Sequence, residues 1–196
     1  NQIRIFEVAP VYHKIKSNFK ETLMLSGLVY GDYIPEQWAD NKREINFFDI
    51  KGDIETISGN TLSINTPKIS VPEAFHPGQV AELIMDKKLV GWVGQLHPAW
   101  QQKYELPEKT YVFELEIEKL VNLPNLDIKL PTKFPPVRRD ISVVVDTDIA
   151  VGDMVKAVKS QIIERVIDFY PFDIYEGKSI EESKKSIAFL ILMQDT

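Results

Sequence analysis

The chain has 196 residues, 44% apolar and 27% charged, with 23 Lys plus Arg against 29 Asp plus Glu and a net charge of −6. Such a composition suits one large globular domain or two small ones and argues against a generally basic nucleic-acid binder, whose affinity rests on phosphate neutralisation. Cysteine is absent, which removes disulfides, thiolate nucleophiles and zinc-thiolate sites together and fits a reducing cytoplasm.

From the start, Asn1 leads straight into the strand-like run of residues 3–8, without the layout of a signal peptide. No later run approaches the roughly 20 consecutive apolar residues of a membrane helix. A first residue other than Met, and a last apolar run followed at once by Gln194-Asp195-Thr196, read as a piece of a longer protein. Short strands are expected over residues 3–8, 23–30, 80–85, 89–94 and 111–117, with helices over residues 47–57 and 98–104. The first part is therefore an α+β module with a largely antiparallel sheet.

Prolines 124, 131, 135 and 136 crowd the stretch that follows, which breaks helices and cannot be a central strand. A domain boundary is placed there: module 1–125, linker 126–132, second domain 133–196. Charge does not separate the two sides, with 14 basic against 18 acidic residues up to residue 132 and 9 against 11 from residue 133 onward. The second domain reads as strand 140–146, a helix carrying Val151, Met154, Val155 and Val158 at helical spacing, and strands 166–175 and 186–193. A parallel return through that helix gives the β-α-β-β start of a ferredoxin-like fold, with a last helix and strand missing.

Alternation on the opening strand puts Arg139, Ile141, Val143 and Val145 on one face and Arg138, Asp140, Ser142 and Val144 on the other. The first set is the expected core face. Arg138 then stands on the polar face, at the strand end beside Lys133, with two roles open to it. It pairs with Asp140 as a surface bridge, or its guanidinium meets a phosphate or base. On the next strand, strict alternation groups Phe169, Asp173 and Tyr175 opposite Tyr170, Phe172 and Ile174, and rings on an open sheet are platforms for base stacking. The turn Glu176-Gly-Lys178-Ser179 follows.

His76-Pro-Gly78 and His97-Pro98 read as turn chemistry rather than metal sites. Glu114 and Glu116, in the alternating Phe113-Glu-Leu-Glu-Ile117, read as a solvated sheet face rather than an acid-base pair. Neither a phosphate-binding glycine loop nor a nucleophile elbow is present, and no catalytic constellation assembles.

Several phrases in order resemble one family: Arg4-Ile-Phe-Glu7, Phe48-Asp-Ile-Lys-Gly-Asp-Ile-Glu55, His76-Pro-Gly-Gln79, Val90-Gly-Trp-Val-Gly-Gln-Leu-His-Pro98, Tyr111-Val-Phe-Glu-Leu-Glu116, Phe134-Pro-Pro-Val-Arg-Arg-Asp-Ile-Ser142 and Phe172-Asp-Ile-Tyr-Glu-Gly177. Together they resemble the C-terminal part of bacterial phenylalanyl-tRNA synthetase β subunits. The resemblance implies that the first module is a degenerate, non-catalytic copy of the class II synthetase fold. Two departures from the active pattern agree. Arg4 and Glu7 are three apart and face opposite ways on a strand, and Gly91-Trp-Val-Gly94 runs into Gln95-Leu-His-Pro98 without the expected arginine.

For the second domain the resemblance implies a ferredoxin-fold anticodon-binding unit, with Lys133, Arg138, Arg139, Tyr175 and Lys178 as candidate RNA-binding residues. It further implies a cytoplasmic α2β2 heterotetramer with a catalytic α subunit, phenylalanine tRNA as partner, and ATP with Mg2+ as cofactors of the complete enzyme but none in this chain. Two rivals stay open: an assembly scaffold without RNA contact, and a ferredoxin-like unit that binds a small regulatory molecule.

Overall fold

A computed structural model describes residues 2–39, 41–59, 61–120, 132–161, 165–177 and 180–195. The chain divides into two compact units, Asn1–Leu126 and Asp127–Thr196, and the fold is α+β with antiparallel sheets. Of the expected linker, residues 126–131 lie outside the described residues.

In the first unit, β1 (Gln2–Ile15) and β2 (Asn18–Gly31) form a hairpin paired without interruption from Gln2↔Gly31 to Ile15↔Asn18. Both strands run well past their expected limits, because Pro10 is tolerated on an edge strand and the charged residues beyond it are all exposed. After α1 (Phe47–Ile57) come β3 (Ser63–Asn65), β4 (Phe75–Met85), β5 (Lys88–Leu96), α2 (Pro98–Lys103) and β6 (Tyr111–Glu116). The sheet order is β1-β2-β6-β5-β4-β3. Strand β3 is not expected from the sequence, being only three residues long. The start of β4 is likewise missed, since a register irregularity between Phe75 and Val80 absorbs His76-Pro77-Gly78. Residue 117, expected to extend β6, instead opens a short 3-10 helix, Ile117–Lys119.

Helix α1 begins where Asn46 accepts a hydrogen bond from the Phe48 N–H at 2.8 Å while the Asp49 side chain accepts one from the Asn46 N–H at 2.8 Å, a reciprocal cap. Its buried Ile50 and Ile54 pack against Val93, Phe113, Leu115 and Leu83 of the sheet. Gly27 makes room for this core, since a Cβ there would lie 2.3 Å from the Phe113 ring.

The second unit contains β7 (Val137–Asp146), α3 (Val151–Lys159), β8 (Val166–Tyr175) and β9 (Lys184–Met193), with sheet order β7-β9-β8. Strands β7 and β8 are each antiparallel to β9, hence parallel to one another, as a crossover through α3 requires. Phe169, Ile187 and Phe189 form the core, covered by Val143, Val145 and the α3 residues Val151, Met154 and Val155. Phe169 and Phe189 stack at 4.9 Å between centroids. The core face is thus the one alternation assigns to Val143 and Val145.

Candidate nucleic-acid interface

Cross-strand partners share a face, so four rows tile the side of the second sheet away from α3. They are Arg138–Leu192–Asp168, Asp140–Leu190–Tyr170, Ser142–Ala188–Asp173 and Val144–Ser186–Tyr175. Ser142 and Ser186 touch across this face, Oγ to Oγ at 2.8 Å. The grouping expected on β8 is corrected here. A register irregularity between Pro171 and Asp173 inserts Phe172 as an extra residue. Asp173 and Tyr175 therefore share the open face with Tyr170, not the core face with Phe169, and Ile174 turns toward the core side opposite Ile187.

Arg138 donates from Nε to Asp140 Oδ1 at 2.8 Å and from Nη2 to Asp140 Oδ2 at 3.0 Å. That hydrogen bonding holds the Asp140 carboxyl below the usual carboxylate range and raises the Arg138 guanidinium. The same guanidinium carbon lies 5.5 Å from the centroid of the Phe172 ring, a cation–π distance. Two donors are taken by the carboxylate, and the Nη1 end of the fork still has hydrogen-bonding capacity. Between the arginine and Tyr170, Leu190 is only 6% exposed. The bulged Phe172 thus completes a patch of one arginine, two rings and a buried leucine.

The other candidates are dispersed. Lys133 is exposed at the entry to β7, in a segment tied to the end of β9. Gln194 Nε2 donates to the Phe134 carbonyl at 2.7 Å and Thr132 Oγ1 to the Asp195 carbonyl at 3.1 Å. Arg139 lies on the face toward α3, exposed, with Nη1 donating to the Arg138 carbonyl at 3.4 Å. Tyr175 sits three rows from Arg138, about 20 Å along the strand direction. Its ring folds over Gly177, where an added Cβ would lie 2.5 Å from the phenol oxygen. Lys178 lies outside the described residues. Strict alternation names Phe172 and Tyr170 as sheet rings without placing them beside Arg138, and Pro171 inside a strand is the sequence signal for the bulge that does so.

In the first unit, Arg4 and Glu7 point to opposite faces. Arg4 stands on the α1 side, its Nη1 2.8 Å from Asp53, while Glu7 pairs in register with Ser26, itself opposite Glu114. Glu7, Ser26 and Glu114 line an open groove of about 450 Å³ together with Ile5, Leu28 and Phe75, and no Lys or Arg contributes to its wall. Gly91 and Gly94 are packed against neighbouring backbone, where an added Cβ would lie 2.0 Å from the Glu114 oxygen and 2.4 Å from the Gln79 oxygen. His76 and His97 accept, through Nδ1, from the Gly78 N–H at 3.0 Å and the Ala99 N–H at 3.1 Å. Among the described residues no group of three or more metal-ligating side chains occurs, and no helix is long and apolar enough to cross a membrane.

Two family models match the chain. The phenylalanyl tRNA synthetase beta chain CLM domain covers residues 1–117, and the ferredoxin-fold anticodon binding domain covers residues 132–196. The chain is 37% identical over its whole length to a phenylalanine–tRNA ligase beta subunit of Dechloromonas aromatica, of which it covers 25%. It is 38% identical over 99% of its length to the corresponding subunit of Chromobacterium violaceum, covering 24% of that protein. It also shares 35% identity over its whole length with a beta subunit of Neisseria meningitidis. The chain spans about a quarter of the length of these curated relatives.

Proposed function

Because the chain belongs to the phenylalanyl-tRNA synthetase beta-chain family, we propose that it is a non-catalytic part of a phenylalanine–tRNA ligase that joins phenylalanine to its tRNA. It works through assembly and tRNA positioning. Residues 1–125 form a synthetase-like module that packs on a catalytic α subunit in a cytoplasmic α2β2 enzyme. Residues 126–132 link it to an anticodon-binding domain, residues 133–196, that holds the anticodon end of phenylalanine tRNA while the acceptor end reaches α. ATP and Mg2+ act in the complete enzyme.

The observation that carries the RNA reading is the Arg138 patch. A planar cation over an exposed ring, on a sheet face without a covering helix among the described residues, presents both a phosphate contact and a stacking surface. The non-catalytic reading draws on the groove of the first unit. Its wall has two carboxylates and no cation, so it does not fit a nucleoside triphosphate, whose phosphates need Lys, Arg or backbone donors.

The test is tRNA binding by the Arg138→Ala variant across a salt series. Loss of a phosphate contact weakens binding and lowers the salt slope by about 1 unit. Unchanged affinity and slope would return Arg138 to a surface ion pair with Asp140. That outcome, with no tRNA crosslink mapping to residues 133–196, favours the scaffold reading, to which the bidentate Arg138–Asp140 pair already lends an observation.

A further inference from the structure

The far half of the β1–β2 hairpin has no assigned role. Strand β2 pairs with β6 only from Met24 to Val29, so beyond that point the two strands pair only with each other. Thr22 is buried at the base, and every residue from 12 to 21 is exposed. The free part is four cross-strand pairs and a turn, about 13 Å of two-stranded ribbon. Lys16 makes the turn with φ of 54°.

This ribbon is basic in a chain that is acidic. Residues 12–21 hold Lys14, Lys16 and Lys20 against Glu21 alone, and Glu21 is engaged by Tyr12, whose phenol it pushes up. Elsewhere in the first unit Arg4, Lys42, Arg43, Lys51, Lys109 and Lys119 are matched with carboxylates. Lys103 lies over the Trp100 and Tyr104 rings, and the other described lysines without a carboxylate, Lys68, Lys87 and Lys88, do not form a run of three with two exposed rings. None of the three arm lysines meets a carboxylate among the described residues. Register places Tyr12, Lys14 and Phe19 on one side of the ribbon, with Lys14 directly opposite Phe19. Tyr12 is 59% exposed and Phe19 69%. Glu21 shares that side opposite Tyr12, Lys20 stands on the reverse side opposite His13, and Lys16 is at the tip. Rings left in water beside an unpaired ammonium, with two more on the same short ribbon, suit a polyanion that carries flat groups.

We propose that the Tyr12–Glu21 arm is a second RNA-binding element, its lysines on backbone phosphates and its two rings against bases or riboses. The choice of RNA among polyanions rests on the family reading above; the arm itself does not involve the Arg138 patch.

The experiment compares the 196-residue chain, its Lys14→Ala/Lys16→Ala/Lys20→Ala variant and its Arg138→Ala variant in binding unfractionated tRNA between about 50 and about 200 mM salt. All the substituted arm positions are exposed, so the triple variant should keep the parent's circular dichroism and melting curve. Removing three phosphate contacts should flatten the slope of log affinity against log salt by about 2 to 3 units. Photocrosslinking from p-benzoylphenylalanine in place of Phe19 should label tRNA. An unchanged slope in the triple variant overturns the inference even where Arg138→Ala is defective, leaving the anticodon reading intact. The reverse pattern upholds the arm and removes Arg138 from the RNA contact. A crosslink from position 19 to a polypeptide instead of tRNA makes the arm a protein-docking element and also overturns the proposal.

Discussion

Lysines of the β1–β2 arm stand in solvent without carboxylates, while Arg138 of the second unit is held in a two-point bridge by Asp140 beside Phe172. The two regions reach an exposed cation next to an exposed ring by different routes. The arm relies on flexible point charges, and the sheet face on one planar cation whose direction is set in advance. Net charge is uninformative about either, since both sit in units with an acidic excess. Local pairing decides where positive potential survives.

The contrast can be broken most severely by unfolding one side of it. Phe189, 1% exposed and stacked on Phe169, belongs to a core with two other buried members among the described residues. Phe189→Ala should cost about 3–5 kcal/mol, enough to abolish a separate melting transition of the second unit while the larger core of the first keeps its own. RNA binding that survives this change, with a steep salt dependence, would belong to the arm. Next in size is Phe172→Ala, which removes the ring under Arg138. Loss of one stacking contact should cost about 1–3 kcal/mol of tRNA affinity, read by filter binding, whereas the salt slope should hardly move because no phosphate contact is lost.

A pH series sharpens the same comparison from the stability side. The Arg43 fork, with bonds of 2.8 and 2.7 Å, holds the Asp49 carboxyl of α1 below the usual range. Unfolding returns that carboxyl to a higher pKa, so the stability it contributes is present above about pH 4 and is lost as pH falls through the folded value. Denaturant unfolding of the first unit should show this acid limb, and Arg43→Ala should flatten it. The Asp140 carboxyl is lowered in the same direction by Arg138, but both side chains are about half exposed. Asp140→Asn should therefore leave the denaturation midpoint of the second unit nearly unchanged. A larger loss in that variant would mean that the bridge organises the β7 end of the sheet rather than only directing the arginine.

Much of this was legible in the residues. Helical spacing located α1 and α3, and period-two alternation put Val143 and Val145 toward the core with Arg138 on the opposite side. The failures share a cause. Where pairing rather than hydrophobic pattern holds a strand, as in residues 12–21, no alternation announces it. Where an extra residue enters a strand, as at Phe172, alternation gives the wrong face. Motif resemblance groups Tyr175 with Arg138, whereas the register sets them three rows apart.

That extra residue has a wider implication. From Asp168 onward, strand β8 behaves as two segments of opposite parity joined at Phe172: before it Asp168 and Tyr170 look outward, and after it the odd-numbered Asp173 and Tyr175 do. Deleting Phe172 would make Pro171 and Asp173 neighbours, as their partners Phe189 and Ala188 already are, so Ile174 and Tyr175 would keep their present faces and only the ring beside Arg138 would be lost. The extra residue thus adds a ring to the outward surface while the pairing on either side of it stays in step with β9.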